Sequence, residues 1–197
     1  MSWIETIHYE EADQKLKKLY DRVTGPNNNV DNIMLAHGLR PHTMEGHMSL
    51  YKNVLHHSSN TLSKTLLETL GVYVSLLNDC NYCVEHHFAG LSRLIDNNEK
   101  AGRLLYALKN ENLALYFDTA EVAALEYAAK LTRHQDQMSP VDIEILRKNG
   151  FDDGQILEIN QVVSYFNYAN RTVLGLGIDT VGDILGLSPG DSENPDN

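Results

Sequence analysis

The sequence predicts an all-α fold, and three observations lead to this prediction. Apolar residues recur at spacings of three and four along most of the chain, which is the period of one helix face. No segment alternates between apolar and polar residues for long enough to form a half-buried strand. Serine, asparagine, glycine and proline interrupt the apolar segments where helices commonly begin and end.

The first half of the chain contains four predicted helical segments. The first spans 12–23, has its apolar residues on one face and stops at Gly25–Pro26. A short segment at 30–37 ends before Gly38, and Pro41 starts a third that runs to about residue 56. Ser63 is the predicted N-cap of a fourth helix, which continues to Leu77.

The second half predicts five more helices, at 80–95, 99–109, 119–134, 140–150 and 154–174. Asn78 and Asp79 interrupt the chain and cap the first of them. Ser139, Pro140 and Asp142 supply a cap, a proline at the first helical position and an acid at the third. From Ser188 onward the polar composition predicts a disordered acidic tail, so we expect one domain over 1–187 and a tail over 188–197.

Length and charge narrow the class of protein. The chain has 197 residues, 16 basic and 27 acidic side chains, and a formal net charge of −11. A nucleic-acid binder needs a stripe of lysine and arginine to neutralise phosphates, which this sequence lacks. The first twenty residues carry charges throughout, and no apolar run approaches the roughly 20 residues of a membrane helix. We expect a cytoplasmic protein without nucleic-acid or membrane partners.

Both cysteines of the chain, Cys80 and Cys83, form a single C-x-x-C motif. In a reducing compartment such a motif indicates redox chemistry or metal binding. Cys80 is expected in the first turn of its helix, where backbone N–H groups and the helix dipole favour a thiolate. Cys83 and His87 are four residues apart and share a helix face, so His87 can take the thiol proton.

Glu68 lies within the apolar run of the preceding helix. If the two helices pack antiparallel, Glu68 points at His87, directly or through a water. A carboxylate behind an imidazole fixes its tautomer and stabilises the imidazolium. The predicted site is therefore a dithiol with a proton relay of Glu68 and His87.

These residues resemble the signature of the AhpD-like alkylhydroperoxidases, within the carboxymuconolactone decarboxylase-like superfamily. The resemblance rests on the spacing Glu68-x11-Cys80-x2-Cys83-x3-His87. The resemblance is greatest to the peroxidase-related branch, whose sequence motifs match at 78–87 (NDCNYCVEHH), 139–159 and 165–171 (YFNYANR). It covers about residues 1–180. It implies an AhpD-like helical bundle whose active site is a helix hairpin with the C-x-x-C at a helix N-terminus.

The resemblance also implies an activity. Cys83 would be the peroxidatic cysteine, Cys80 the resolving cysteine that meets the reductant, and Glu68 and His87 the proton relay. It implies no cofactor and no metal, an organic hydroperoxide as substrate, a lipoyl- or thioredoxin-like thiol or dithiol as reductant, and a homo-oligomer. The studied peroxidases have a further histidine directly before the second cysteine, where this chain has Tyr82, and a phenol is a poor base near neutral pH. The decarboxylases of the superfamily lack the cysteine pair.

Two alternatives stay open from the residues alone. One is a disulfide oxidoreductase that does not act on peroxides. The other is a zinc-binding or redox-sensing module, in which Cys80, Cys83 and His86 or His87 supply ligands. The secondary site candidates are Tyr82, His86, Asn167 and Arg171. Asn167, Asn170 and Arg171 are polar residues of the last helix that can line the pocket or cap neighbouring helices.

Overall fold

The computed structural model describes residues 2–24 and 29–186. These ranges contain nine α-helices and no strand, which confirms the all-α prediction. The helices are α1 (Gln14–Val23), α2 (Asn32–Ala36), α3 (Pro41–Tyr51), α4 (Lys64–Leu77), α5 (Asn81–Ile95), α6 (Asn98–Lys109), α7 (Thr119–Arg133), α8 (Pro140–Lys148) and α9 (Asp153–Leu176). Within the described ranges, no helix has the length and apolar character needed to cross a bilayer. The Gly25–Pro26 stop and the tail predicted at 188–197 lie outside the described residues.

Polar caps set the beginnings of the helices that carry the site. The Ser63 hydroxyl accepts a hydrogen bond from the Leu66 N–H at 3.1 Å, as the sequence predicted for α4. At the start of α9, Asp152 and Gln155 form a reciprocal capping box. The start of α5 differs from the prediction. Cys80 is the N-cap residue of α5 and not part of its first turn, because its backbone (φ −90°, ψ 82°) is not helical, and no side chain of Asn78 or Asp79 caps the helix. The Cys80 N–H donates to the Ser75 carbonyl at 2.9 Å.

Helix α4 is the centre of the fold and packs against α5, α7 and α9. It is apolar on nearly all sides, which is the pattern of a helix surrounded by other helices. Leu70, Val72 and Val74 have no exposed surface. Gly71 has no side chain, so Phe166 of α9 approaches the α4 backbone closely at this position. The α4–α5 hairpin is therefore held from behind by α9.

After α9 the chain turns back over the site. Gly177 ends the helix with a left-handed conformation (φ 60°). Residues 178–186, here called the C-terminal strap, then run across the starts of α2 and α5. The Asn32 side chain donates to the carbonyls of Asp179 and Val181 at 2.9 and 3.0 Å, and the Asn32 backbone N–H donates to the Asp183 carboxylate. The strap thereby becomes one wall of the site.

Candidate active site

The α4–α5 hairpin joins a buried carboxylate to an imidazole. Glu68 on α4 is 7% exposed, and its Oε2 lies 2.8 Å from Nδ1 of His87 on α5. Oε1 of the same carboxylate is 4.0 Å from Nε2 of His56. Phe166 packs edge-on against the His87 ring at a centroid distance of 4.6 Å. The carboxylate thus holds one ring nitrogen of His87, and the aromatic contact holds the plane of the ring.

The two cysteines lie at the start of α5 as free thiols. Cys80 is completely buried, and Cys83, on the first turn of α5, is 4% exposed. The hydrogen bond from the Cys83 thiol lowers the pKa of Cys80 against the opposing effect of burial. The same hydrogen bond and burial raise the pKa of Cys83 well above its ordinary value. Because the two thiols are coupled, they lose their protons in two steps that belong to the pair.

A cavity of about 80 Å³ lies beside Cys83. Its wall includes Glu68, His87 and the apolar or aromatic side chains of Met34, Met48, Tyr51 and Tyr165, whereas Cys80 is not part of it. A cavity of about 150 Å³ accommodates benzene. The enclosed space is therefore smaller than a benzene ring needs, and the reacting group of a ligand that enters it meets Cys83 and the Glu68–His87 pair together.

Tyr82 and His86 face a second carboxylate, which comes from the C-terminal strap. The Tyr82 hydroxyl donates to Oδ2 of Asp183 at 2.8 Å and accepts from the Ile33 N–H at 3.2 Å. His86 Nε2 is 3.1 Å from the same Oδ2. Burial first, then Asp183 and Asp31, raises the pKa of Tyr82 well above its ordinary value. Tyr82 therefore keeps its proton and donates it in a hydrogen bond to the strap carboxylate, so Tyr82 anchors the strap.

The same corner contains a possible set of metal ligands. Asp31, His86 and Asp183 place one ligand atom each within 4.8 Å of one another. Burial raises the pKa of Asp31 to about 6, with the negative charge of Asp183 adding to the effect and His86 opposing it. Among residues 2–24 and 29–186, this grouping is formed without either cysteine. The zinc set of Cys80, Cys83 and His86 or His87 is not brought together within these ranges.

Asparagines on α9 lie behind the cysteines. Asn78, which ends α4, donates to the side-chain oxygens of Asn167 and Asn170 at 3.1 and 3.0 Å. Asn170 has no exposed surface and donates to the Ser75 hydroxyl at 3.1 Å. Arg171 is exposed and donates to the carbonyl and the side chain of Asn167 at 2.9 and 2.8 Å. Asn167 and Arg171 therefore brace the end of α4 and do not line the cavity.

Two residues at the site, Asp183 and His47, were missed by sequence reasoning. Asp183 approaches the site only through the strap, and no local pattern indicates this. His47 could have been found, because it lies on the buried face of α3 at helical spacing with Met44 and Tyr51. His47 is 3% exposed, and burial lowers its pKa to about 3. Its Nε2 is 3.3 Å from the Tyr165 hydroxyl, and its Nδ1 has no hydrogen-bond partner among the described residues.

No protein-family model matches the sequence. Among curated proteins, the chain is 20% identical over 118 residues to YdfG of Bacillus subtilis (strain 168), an uncharacterized protein; the match covers 60% of this chain and 78% of YdfG.

Solved structures match the fold over most of the chain. A peroxidase-related protein from Ralstonia eutropha JMP134, described as an alkylhydroperoxidase AhpD core, has a TM-score of 0.75 and 21% identity over 91% of this chain and 92% of its own. A peroxidase-related protein from Silicibacter sp. TM1040 has a TM-score of 0.72 and 25% identity over 90% and 87%. The debrominase Bmp8 has a TM-score of 0.67 and 17% identity over 84% and 86%.

These likenesses define the class of protein to which the fold belongs. The fold is that of the AhpD core and of the peroxidase-related proteins, as the sequence resemblance predicted.

Proposed function

We propose that this protein is a thiol-dependent peroxidase that reduces small organic hydroperoxides through its Cys80–Cys83 dithiol. The observation that carries the proposal is the 2.8 Å contact between Glu68 and His87 in the wall of the cavity that Cys83 also lines. This arrangement supplies a proton acceptor, a group that stabilises it when charged, and a space for the substrate next to one reactive sulfur.

The two thiols differ in their access to the cavity and in their pKa, and we assign them different roles on this basis. Cys80, whose pKa is lowered, lies outside the cavity wall, whereas Cys83, whose pKa is raised, lines the cavity. Only Cys83 can meet a bound substrate, so its proton must be removed. His87, one turn further along α5, takes this proton, and Glu68 stabilises the resulting imidazolium.

The reaction then proceeds in two steps. The Cys83 thiolate attacks the distal oxygen of ROOH; an S–O bond forms, the O–O bond breaks, and the departing RO⁻ takes the proton held by His87 and leaves as alcohol. The Cys80 sulfur attacks the sulfenic acid on Cys83; an S–S bond forms, and the sulfenic oxygen leaves as water. An external lipoyl- or thioredoxin-like dithiol returns two electrons and two protons by exchange.

The decisive experiment follows free thiols in fully reduced protein after addition of tert-butyl hydroperoxide, in native and in urea-unfolded samples. We expect rapid loss of both thiols in the folded protein only. Cys83→Ser should abolish this loss, and Cys80→Ser should accumulate a sulfenic acid that dimedone labels. Equal rates in native and unfolded samples, or full activity of Cys83→Ser, would overturn the proposal.

The two alternatives give different results in the same sample. A disulfide oxidoreductase would exchange with thiols and disulfides without consuming peroxide. A zinc-binding module would retain the metal through chelation and protect both thiols. A homo-oligomer and a cytoplasmic location belong to the proposal as well, and light scattering of the purified chain tests the first.

A second candidate is reductive debromination of a small aromatic ring. A structural neighbour is the debrominase Bmp8, which has also been solved with 2,3,4-tribromopyrrole, and the cavity here has aromatic walls from Tyr51 and Tyr165. The dithiol would supply two electrons, so that C–Br becomes C–H with release of bromide and formation of the disulfide. Bromide release from tribromopyrrole, against hydroperoxide consumption under identical conditions, distinguishes the two candidates.

A further inference from the structure

Asp31 is a member of the cavity wall to which the proposed reaction gives no role. It is the N-cap residue of α2, but its side chain makes no capping hydrogen bond. An N-cap aspartate usually accepts from an N–H group of the first turn of its helix. Here the Asp183 carboxylate accepts the Asn32 N–H, and Oδ1 of Asp31 accepts from the Asn29 amide at 3.1 Å. The Asp31 carboxylate is therefore turned away from its helix.

Two imidazole–carboxylate pairs lie beside Asp31. Glu68 contacts His87 at 2.8 Å, and Asp183 contacts His86 at 3.1 Å. Asp31 places a carboxylate oxygen within 4.8 Å of both His86 and Asp183, but His86 makes its ion pair with Asp183. The carboxylates of this set outnumber its imidazoles. Its net charge is therefore negative whether the two histidines are protonated or neutral.

The remainder of the cavity wall does not compensate this charge. None of the described residues that line the cavity is a lysine or an arginine. His47, the third histidine of the wall, is neutral near neutral pH because burial lowers its pKa to about 3. Burial raises the pKa of Asp31 only to about 6, so Asp31 is ionised at pH 8. In an enclosed and partly apolar space, water and salt screen such a charge weakly.

We propose that Asp31 is a specificity-determining residue of the cavity, whose carboxylate favours small neutral or cationic hydroperoxides and disfavours those that carry a carboxylate. A hydroperoxide that reaches Cys83 enters the space that Asp31 also borders. An anionic substituent meets the excess of negative charge there, whereas an ammonium group gains an acceptor in Asp31. The inference rests on the proposed function in naming hydroperoxides as substrates, but the charge selectivity belongs to the cavity and is measured without peroxide.

The test uses alkylating reagents of different charge on the full-length reduced protein at about pH 8. Iodoacetamide is neutral and iodoacetate is anionic, and the two have nearly the same size and the same leaving group. The cationic reagent is 2-bromoethylamine. Mass spectrometry locates the thioether on Cys83. The measured quantity is the ratio of the iodoacetamide rate to the iodoacetate rate, divided by the same ratio in urea-unfolded protein. The thiolate fraction cancels, because both reagents attack the same sulfur.

Asp31→Asn is the test variant, because asparagine has nearly the same shape and can still accept from Asn29. Asp21→Asn is the matched control. Asp21 is on α1, outside the cavity wall, and also accepts a side-chain hydrogen bond, from the Tyr9 hydroxyl at 2.8 Å. We expect the native protein to favour iodoacetamide. Asp31→Asn should lower this preference by about threefold to tenfold and slow 2-bromoethylamine by a similar factor. Asp21→Asn should keep the wild-type ratio.

Three outcomes would overturn the inference. A wild-type ratio equal to that of the unfolded chain would show that the cavity has no charge selectivity, and this result needs no variant. An unchanged ratio in Asp31→Asn would remove Asp31 from the selectivity. An equal change in Asp21→Asn would show an effect of the charge of the whole chain. Failure of the peroxidase proposal has a separate signature, namely no native reaction with tert-butyl hydroperoxide while the alkylation ratios change as expected.

Discussion

Helices α4 and α9 pack closely at Gly71, and this leads to a quantitative prediction. A Cβ added at Gly71 would lie 2.2 Å from two ring carbons of Phe166 and 2.9 Å from a third. Carbon atoms in ordinary contact are about 3.5–4.0 Å apart. Phe166 has no exposed surface, so its ring cannot yield without disturbing its neighbours, and one of these neighbours is His87. Gly71→Ala should therefore affect both stability and the site.

The magnitude follows from comparison with a glycine in open space. Gly102 lies inside α6, and an added Cβ there meets nothing within 4 Å. Replacing a glycine in a helix interior by alanine stabilises by about 1 kcal/mol, and both variants share this gain. Overpacking a filled core costs about 1–3 kcal/mol. Because the Gly71 contacts are so short, we expect the two variants to differ by about 3 kcal/mol, with Gly102→Ala the more stable.

Equilibrium urea unfolding of both variants and of the wild type measures this difference directly. In thermal unfolding, 1 kcal/mol corresponds to about 2–4 °C for a chain of this size. Gly71→Ala should also slow the native thiol reaction, since displacement of Phe166 removes the support of the His87 ring. Equal free energies of unfolding for Gly71→Ala and Gly102→Ala would refute the packing of α9 against α4 described above.

Three further predictions concern the site and the strap. Glu68→Gln should slow peroxide-dependent thiol loss by about 10²-fold, because His87 loses its carboxylate partner. An unchanged rate would refute the proposed Glu68–His87 proton relay. The pKa of His47 is 6.5 when unfolded and about 3 when folded, so the unfolded chain binds a proton first as pH falls. The free energy of unfolding should therefore decrease as the pH falls from 6.5 to about 3, by roughly 5 kcal/mol over the whole range. In urea unfolding, His47→Gln should show a smaller decrease over the same pH range. Asp183→Ala leaves the Asn32 N–H and the Tyr82 hydroxyl without their acceptor, so hydrogen exchange at 178–186 should accelerate; protection as in the wild type would contradict the anchoring.

Most of the helices and the central pair of the site were predictable from the sequence because they depend on local spacing. Caps such as Ser63 act within one turn, and helical periodicity follows from the chain's own geometry. The Glu68–His87 contact was predictable because consecutive helices joined by a short connection pack antiparallel. The predicted start of α5 was wrong by one residue. Cys80 has a non-helical backbone, and its N–H bonds back to Ser75 in the turn after α4, so the helix begins at Asn81.

The sequence by itself therefore determined the helical class, the AhpD-like resemblance and the pairing of Glu68 with His87 across the α4–α5 hairpin. Only the tertiary structure decided which other groups meet these residues. Asp183 arrives on the strap, and Asn170 arrives on α9, 95 positions beyond Ser75 along the chain. Such contacts depend on how whole helices pack against each other. The free energy of this packing is distributed over many apolar side chains, and the sequence of one helix does not show which other helix it will contact.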